Sequence, residues 1–586
     1  MRRAAVLLTL MALTVAAPAS AAVKLPLSHA GRWITDASGR VAVLHGLNMV
    51  YKRPPYAPDA IGFGDDDAAF LASEGYNTVR VGLIYKAVEP SPGVYDDAYL
   101  ARIEGTVDAL ARHGIVSLLD FHQDMYNERF QGEGWPDWAV QDDGLPNQPQ
   151  NGFPGNYLAM PALQHAFDHF WANDPGPGGV GLQDRYAAAW RHVAERFSGN
   201  PSVLGYDLLN EPWPGSTWQQ CANPAGCPEF DGRMSLFVER VLGAIRAADP
   251  QSLVWYEPNS LFNNGADTQL ADFRDKHAGM SFHDYCLASN EGGSSYSQAC
   301  QASDDLVMSN ADKRAAATGD ALLMSEWGAT DDRASLLGPL ALADKHMMSW
   351  QEWHYCGCND PTTTGSGDKQ AIVLDPAKPP TGSNLKTSTL DVITRPYPQL
   401  VSGTPKSWSF DPDSKKFAFS YSTARAGDAS KRFGAGAVSA VVVPKRQYPK
   451  GYAADVRGGA IVSKPGALLL RVAACAGAKD VNVSVVAGGG HSQSSCAKPG
   501  KKRPRLTVTL SPRRVRAGRR VKVVVWVRAG KAAVRGAVVR LGRKRSVTGR
   551  RGRAVLRVRF AKPGRHRAVA RARGYRSGKA TLRVVR

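Results

Sequence analysis

After its first 22 residues the sequence has no run of about 18 or more uncharged apolar residues, the length that a membrane-spanning helix needs. It also lacks a Gly-rich turn after its first strand-like run, where the letters are GLNMVYKRPPY. This absence disfavours a doubly wound nucleotide-binding fold. Two CxxC pairs, or a His-x-x-x-His that completes four zinc ligands with cysteines, are missing as well, so we expect no structural zinc.

Acidic residues are absent from positions 501 to 586, which hold 31 lysines and arginines. The net charge of +21 therefore belongs to this segment, because the first 500 residues contain 42 basic and 52 acidic residues. A segment of this charge is expected to bind polyanions by screened attraction and counterion release. In a secreted protein the expected partners are cell-wall polymers or anionic lipid head groups, and not nucleic acid. A genome-wide preference for arginine is the alternative explanation.

Residues 1–22 have the pattern of a secretory signal peptide. A basic start at Arg2 and Arg3 precedes an apolar stretch from Ala4 to Ala17 and a small-residue cleavage site at 19–21. We therefore predict a secreted, extracellular protein, either free or held at the cell surface by contacts other than a transmembrane helix. The even number of cysteines, eight, fits the oxidising compartment that this predicts.

The cysteines fall into near pairs, and pairing of sequence neighbours is the simplest prediction. The pairs are Cys221 with Cys227, Cys286 with Cys300, Cys356 with Cys358, and Cys475 with Cys496. Other connectivities stay open, since Cys356 and Cys358 would close a cramped ring.

Short apolar runs alternate with amphipathic stretches through the first two thirds of the chain. This alternation is typical of βα units and predicts an α/β fold with a parallel (β/α)8 TIM barrel over residues 23–393. The strand-like runs are 43–49, 78–83, 116–122, 203–210, 253–258, 280–285, 322–327 and 350–355. The helical patterns include 97–113, 184–197, 230–248 and 334–347.

From Trp408 onward the sequence changes to short alternating segments that Gly, Pro, Lys and Asp separate. They predict an antiparallel β-sandwich over 394–490, followed by a linker over 491–503. The basic segment alternates too, with Arg at polar positions and Val, Leu or Ala at apolar ones, as in RVKVVVWVRA. We therefore predict a folded, immunoglobulin-like β-domain over 504–586 rather than a disordered arm.

Polar and aromatic residues stand at the ends of many predicted barrel strands. Because the C-terminal ends of barrel strands converge on one face, these residues predict a single site. Burying so many polar groups for structure alone would require a partner for each. They are Asn48, Arg80, Asp120, His122, Asn210, Glu211, His283, Tyr285, Glu326 and Trp353.

Two of them, Glu211 and Glu326, form the pair of carboxyl groups that cleavage of a glycosidic bond requires. One protonates the leaving oxygen, and the other attacks or stabilises the anomeric carbon. In this interpretation Asn210 binds a sugar 2-hydroxyl, while Tyr285 and Arg80 keep Glu326 ionised. Such chemistry needs neither a metal nor an organic cofactor.

The motifs LLNEPW, MSFHDYC and LLMSEWG and the segment 350–353 resemble those of glycoside hydrolase family 5, a retaining family on the (β/α)8 barrel. Within it, GLNMVYKRPPY, DFHQDMY followed by GEGWPDW, and RPYPQLVSGTP are similar to the endoglycoceramidases. Those enzymes release the intact oligosaccharide of a glycosphingolipid from its ceramide. The resemblance covers about residues 30 to 490 and omits the basic domain.

This resemblance implies a double displacement with Glu211 as acid/base and Glu326 as nucleophile. It also implies a supporting shell of Arg80, His122, Asn210, His283, Tyr285 and Trp353, with Lys52, Asp120 and Asp124 in contact with the glycan. Trp350 competes with Trp353 as the platform for a sugar ring, and Trp353 is nearer to the predicted strand end. Glu257, on the fifth strand, is expected to be structural or to orient the substrate.

Two alternatives remain open at this point. A β-glucosidase, glucosylceramidase or endo-β-glucanase of the same family would use the same glutamates on another β-glycoside. The non-enzyme alternative is an inactive barrel that binds a cell wall or an anionic surface, and the complete set of catalytic residues disfavours it. The sequence leaves glycan preference and oligomeric state undecided.

Overall fold

The computed structural model describes residues 22–286, 296–363, 367–496 and 504–586. The predicted signal peptide, apart from Ala22, and residues 497–503 of the predicted linker lie outside this part of the chain. Two compact units divide the chain, one reaching to Cys496 and the other following it. No helix in the described ranges has the length and apolar character that crossing a membrane would require.

Eight parallel strands close into a barrel in the first unit, as predicted. Every residue of these strands is buried, because helices cover the barrel outside and side chains fill it inside, which explains why the apolar runs do not alternate. Strand β8 pairs with β1 and completes the ring. In chain order they are β1 (His45–Met49), β2 (Thr78–Ile84), β3 (Val116–His122), β4 (Val203–Asp207), β5 (Leu253–Tyr256), β6 (Ala278–Asp284), β7 (Ala321–Trp327) and β8 (Trp350–Glu352).

Helices return the chain from one strand to the next, and the four predicted helical patterns agree with them to within two residues at each end. Between β5 and β6 the fully described chain forms a short 3-10 helix, Ser260–Asn264, in place of an α-helix. This exception matters because it brings Asn263 to the barrel mouth. The longer helices are Asp65–Glu74, Asp97–Arg112, Pro161–Ala172, Leu182–Phe197, Pro228–Ala248, Gln298–Thr318, Arg333–His346 and Thr387–Ile393.

A β-sandwich completes the first unit, and its larger sheet includes strands from before the barrel. The short strand Val41–Ala42 pairs with Leu400 and Val401, so segments on both sides of the barrel sequence share one sheet. That sheet contains Ser28–Ala30, Trp33–Thr35, Val41–Ala42, Tyr397–Val401, Val438–Val442, Leu469–Ala474 and Gly459–Ile461. The smaller sheet contains Thr404–Asp411, Lys416–Ser422, Asp480–Ala487, Tyr452–Arg457 and Gln493–Ser495.

A buried aspartate on the barrel helix Arg333–His346 ties this sandwich to the barrel. Asp344 Oδ2 accepts hydrogen bonds from Arg395 Nη2 at 2.6 Å and from the Phe410 backbone N–H at 3.1 Å. Its Oδ1 accepts a third from Trp408 Nε1 at 2.8 Å. Burial raises the pKa of Asp344, whereas Arg395 and these hydrogen bonds lower it. The Asp344 carboxylate therefore joins the barrel helix to Trp408 and Phe410 of the sandwich and to Arg395 just before it.

We expect Asp344→Ala to lower the free energy of unfolding by about 3 to 5 kcal/mol, because it leaves the Arg395 guanidinium buried without its partner. Denaturant unfolding followed by tryptophan fluorescence measures this. The matched control is Lys345→Ala on the same helix as Asp344, which removes a more exposed pair with Asp305 and should cost no more than about 1 kcal/mol. Similar losses of unfolding free energy in the two variants would show that the buried pair does not hold the sandwich to the barrel.

All eight cysteines form disulfides, and the predicted pairing of sequence neighbours is confirmed. Three of the four, Cys221–Cys227, Cys286–Cys300 and Cys356–Cys358, lie in segments that follow barrel strands β4, β6 and β8. The fourth, Cys475–Cys496, lies in the sandwich. Covalent links therefore tie down the loops at the C-terminal face of the barrel.

The second unit, described from residue 504, is a separate and mainly antiparallel β-domain, in which Arg514–Arg516 pairs in parallel with Gly578–Val585. The predicted fold class is confirmed. Alternate residues of its strands are buried and form a core of valine, leucine and alanine. One sheet contains Thr507–Ser511, Arg520–Ala529, Ala532–Ala533 and Arg553–Arg559. The other contains Arg514–Arg516, Gly578–Val585, Gly564–Arg571, Val538–Leu541 and Lys544–Val547.

Candidate active site

Glu326 lies near the end of β7, where an irregularity of the strand sets its direction. Met324 pairs with Phe282 of β6, and Glu326 pairs with His283, so Ser325 is an extra residue in the ladder. A bulge of this kind turns the side chain that follows it. It brings Glu326, only 4% exposed, beside His283 at the mouth of the barrel.

Three side chains contact the Glu326 carboxylate. Arg80 Nη1 donates to Oε1 at 2.6 Å, and the Tyr285 hydroxyl donates to Oε2 at 3.0 Å. His283 Nδ1 lies 3.5 Å from Oε2. Burial, with Glu211 and Glu257 nearby, raises the pKa of Glu326 to about 7, and His283 and Arg80 offset only part of this rise. These partners stabilise the ionised carboxylate in a site that would otherwise favour the neutral acid.

Arg80 of β2 is the centre of positive charge below this carboxylate. The guanidinium is completely buried and contacts four carboxylates, those of Asp120 at 3.0 Å, Asp207 at 2.9 Å, Glu257 at 2.9 Å and Glu326 at 2.6 Å. Burial lowers the pKa of Arg80, but these four acids outweigh it and raise the pKa well above its ordinary value. The planar fork of donors in arginine fits so many oxygens, and a lysine ammonium would not.

Glu211 follows β4 in a left-handed backbone conformation, with φ of 44°. Residues with a side chain adopt this conformation at a cost, and it is common at functional sites. A hydrogen bond from the Glu211 N–H to Glu257 Oε2, at 2.9 Å, holds the turn. Asn263 Nδ2 donates to Glu211 Oε1 at 2.8 Å, and His283 Nδ1 lies 2.9 Å from the same oxygen. Contacts with both its backbone and its carboxylate thus fix the orientation of Glu211.

His283 lies among the three glutamates of the site, 2.9 Å from Glu211, 3.2 Å from Glu257 and 3.5 Å from Glu326. Burial lowers the pKa of His283, but Glu257 and Glu326 outweigh it and raise the pKa well above 6.5. A protonated His283 holds the acidic groups close to one another. One carboxylate oxygen of Glu211 lies within 4.8 Å of one of Glu326.

A second polar cluster lines the same cavity beyond the glutamates. Lys52 Nζ donates to Asp124 Oδ2 at 2.6 Å and to Thr362 Oγ1 at 2.8 Å, and it lies 3.3 Å from Asp360. The ammonium also stands 4.5 Å from the ring centroid of Trp353, a cation–π distance. Lys52, Asp124 and Trp353 together offer charged oxygens, a donor and a flat aromatic face, the groups that bind sugars.

The two competing tryptophans lie in different places. Trp353 lines the cavity and stacks on His122 with ring centroids 5.2 Å apart. Trp350 is completely buried, where it packs on His45 and against the edge of Trp327. Only Trp353 is therefore placed to meet a ligand.

Part of the remaining cavity lining is apolar. It comes from the loops after β3, β4 and β5, and Leu158 leaves 46% of its surface exposed at the opening. The cavity has a volume of about 210 Å³. A cavity with one polar and one apolar wall suits an amphiphilic ligand. The apolar wall consists of Phe153, Pro154, Leu158, Trp213 and Leu261.

All eleven residues predicted for the site lie together at the C-terminal end of the barrel. Eight line the cavity: Lys52, His122, Asp124, Asn210, Glu211, Tyr285, Glu326 and Trp353. Arg80, His283 and Asp120 lie below its surface and are 0% exposed. Asp120 contacts Arg80 at 3.0 Å and His122 at 2.8 Å.

Sequence reasoning missed several groups of the site. Asn263 holds Glu211 and Thr362 holds Lys52, yet neither residue stands at the end of a strand-like run. The apolar wall was missed because its members are spread over three loops. The sequence shows Asp207 as an acid near the end of a strand-like run, but only its contact with Arg80 assigns it to the site. Glu257, expected to be structural or orienting, holds Arg80 and the Glu211 backbone.

Two groups of side chains that could bind a metal lie at or beneath the cavity surface, Glu211 with His283 and Glu326, and His122 with Asp124 and Glu133. In the first group Arg80 already donates to Glu326, and in the second Lys52 donates to Asp124. These cations occupy the position at which a metal ion would balance the carboxylates. The residues present therefore fit acid/base chemistry better than metal binding.

A family model described as cellulase (glycosyl hydrolase family 5) matches residues 36–359, which carry the whole barrel and both glutamates. The chain belongs to glycoside hydrolase family 5. A second model, the glycoside hydrolase family 5 C-terminal domain, matches residues 395–486 of the sandwich. The predicted family is confirmed, and the protein is a glycoside hydrolase that acts on O-glycosyl bonds. Both matches end before the basic unit.

Similar proteins within family 5 are endoglycoceramidases. Endoglycoceramidase I of Rhodococcus hoagii (strain 103S) is 33% identical over 455 residues, which cover 76% of this chain and 85% of that protein. The structure of endo-glycoceramidase II from Rhodococcus sp. in complex with ganglioside GM3 is 27% identical, with a TM-score of 0.64, and the match covers 78% of this chain and 99% of that one. A further structure of that enzyme, described as a lactosyl-enzyme intermediate, is 26% identical, with a TM-score of 0.62. The match covers 80% of this chain and 100% of that one.

Proposed function

We propose that this family 5 enzyme cleaves the bond between the glycan and the ceramide of glycosphingolipids by a double displacement that retains configuration. The observation that carries the proposal is the two-sided cavity, in which a sugar-binding wall and an apolar wall meet at Glu211 and Glu326. The similarity to endoglycoceramidases supports the choice of substrate.

In the first step Glu326 attacks the anomeric carbon and Glu211 protonates the leaving oxygen. Arg80 and Tyr285 donate to the two oxygens of Glu326, which favours the carboxylate needed for attack. The separation of the two carboxylates supports retention, since one oxygen of each lies within 4.8 Å of the other. Retaining enzymes hold their carboxyl groups about 5 to 5.5 Å apart, and inverting enzymes about 6.5 to 9.5 Å.

In the second step Glu211, now a carboxylate, takes a proton from water, and that water releases the glycan from Glu326. The related structure described as a lactosyl-enzyme intermediate supports this step. Asn263 and His283 contact the Glu211 carboxylate and hold it in position for both proton transfers.

The two walls give the substrate one direction in the cavity. The glycan binds toward Lys52, Asp124 and Trp353, whose charge and aromatic face suit hydroxyl groups and a sugar ring. The ceramide leaves along the wall that contains Phe153 and Leu158, where burial of apolar surface stabilises the lipid. The scissile bond then lies where the two walls meet.

Incubation with a mixed glycosphingolipid pool tests this proposal. We expect ceramide and the complete oligosaccharide to appear together and in equal amounts, as measured by mass spectrometry of both fractions. Glucosylceramide and cello-oligosaccharides serve as parallel substrates. Release of single monosaccharides, or faster turnover of glucosylceramide or the cello-oligosaccharides, would overturn the endo-acting assignment in favour of a glucosidase, glucosylceramidase or glucanase of the same family.

A further inference from the structure

The second unit arranges its positive charges in ordered rows on both outer faces. In its first sheet Arg520 pairs directly with Arg559, and Lys522 pairs directly with Arg557. Directly paired residues of adjacent strands point to the same face, and all four side chains are exposed. They form a block of four cations on one face of the unit, called here face 1.

The other sheet has a row of three arginines that spans three strands. Arg583 pairs with Arg514 on one side and with Arg565 on the other, and all three are exposed. Arg540 and Arg545 form a further pair in this sheet. The face that carries these residues is called here face 2.

Like charges directly opposite each other destabilise a sheet. Relief by neighbouring acids is missing, because the sequence has no Asp or Glu from 501 to 586. A fold that needed only solubility would scatter its cations rather than pair them. The pairing therefore points to a negatively charged ligand that relieves the repulsion.

We propose that this unit binds a flexible, linear polyanion that carries repeated phosphate or carboxylate groups and contacts both faces. Arginine makes up 24 of the 31 basic residues from 501 to 586. Its planar fork matches the oxygens of phosphate and carboxylate in pairs. The rows repeat at the spacing of a sheet, about 4.7 to 5.5 Å across strands and about 6.8 Å along them, so consecutive groups of one polymer reach consecutive cations.

The positions of the cations favour a polymer over an anionic membrane. A flat bilayer contacts one face of the unit at a time, whereas a flexible chain passes over both. Membrane-surface proteins also bury apolar side chains among the head groups. In the described part of the unit, Val547 is the one large aliphatic or aromatic side chain that is substantially exposed.

Binding of the full-length protein to inorganic polyphosphate, to poly-glutamate and to phosphatidylglycerol vesicles tests the proposal, by anisotropy or co-sedimentation over a range of salt. We expect binding to one or both polymers that weakens steeply with salt. Replacing the face 1 block, with R520Q, K522Q, R557Q and R559Q together, should weaken polymer binding about tenfold or more and reduce the slope of log K against log salt by about 3. The face 2 triple variant R514Q, R565Q and R583Q should act in the same direction.

The matched control removes four exposed cations from the first unit, Lys445, Lys450, Lys464 and Arg471, each changed to Gln. It changes the net charge by the same amount and should leave the affinity within about twofold. Equal losses in control and face 1 variants would reduce the effect to net charge and overturn the proposal. Preference for vesicles over both polymers would overturn it in favour of a membrane.

A single substitution separates binding from folding. Arg557→Glu converts a like-charge pair with Lys522 into an opposite-charge pair, so the thermal midpoint of the unit at low salt should rise while polymer affinity falls. A fall in both would mean that the arginine serves the fold, and the proposal would fail.

Discussion

Glu326→Gln is expected to reduce kcat/KM on a glycosphingolipid by a factor on the order of 10⁴ or more, because the amide cannot form the glycosyl-enzyme bond. The substitution preserves shape, and Tyr285 can still donate to the amide oxygen, so the loss reports chemistry rather than folding. Product release from a ganglioside, measured by chromatography, gives the rate. A mechanism-based fluoroglycoside should label the wild-type protein on the peptide that contains Glu326.

The control for this variant is Glu352→Gln. Glu352 of β8 is equally buried, but its carboxylate lies outside the cavity and burial raises its pKa well above the ordinary value. An amide of the same shape therefore replaces a carboxyl group that lies outside the cavity and whose charged form burial disfavours, and kcat/KM should stay within about threefold. Labelling of another residue, or activity of Glu326→Gln near that of the control, would refute the nucleophile assignment.

Glu211→Gln is expected to affect substrates according to their leaving groups. A ceramide alkoxide needs a proton, so kcat/KM on the glycolipid should fall about 10² to 10⁴-fold. A dinitrophenyl glycoside leaves without protonation, so its kcat/KM should change far less. The decisive quantity is the ratio of the two losses, which cancels any general damage to the site.

Added azide extends this test to the second step. It should accelerate turnover of the dinitrophenyl glycoside by Glu211→Gln, because a small anion replaces the water that Glu211 no longer activates. The product should be the glycosyl azide with the original anomeric configuration, identified by NMR. Equal losses on both substrates and no effect of azide would assign Glu211 a positioning role in place of proton transfer.

The barrel and the composition of its site were predictable because they depend on local sequence patterns. Two-sided burial makes each barrel strand apolar throughout, and the residue that ends such a run stands at the catalytic face, as Glu211 and Glu326 do. The features that could not be predicted depend on partners that are distant in the sequence. The strand Val41–Ala42 is recognisable only beside Leu400 and Val401, and the extra residue Ser325 only in the register with β6.

The apolar wall illustrates a second limit. Phe153, Trp213 and Leu261 lie in segments between barrel strands, where an apolar residue is as common in packing as in binding, and no periodicity separates the two uses. Arg80 shows the opposite case. Its position at a strand end predicted membership of the site, but its contact with four acids could be known only from the closed barrel, since those acids come from four other strands or their ends.

Because the barrel and the sandwich of the first unit share one sheet, we expect them to be inherited together. The strand Val41–Ala42, which precedes the barrel, pairs with Leu400 and Val401, and Val43 donates its N–H to Gln399 beyond the barrel. The other side of this strand pairs with Thr35 through Val41, so a cut after residue 393 would expose one apolar edge of the kind that recruits other chains. Recombination that exchanges the barrel alone is therefore disfavoured, whereas the basic unit, separate after Cys496, is free to be gained, lost or replaced.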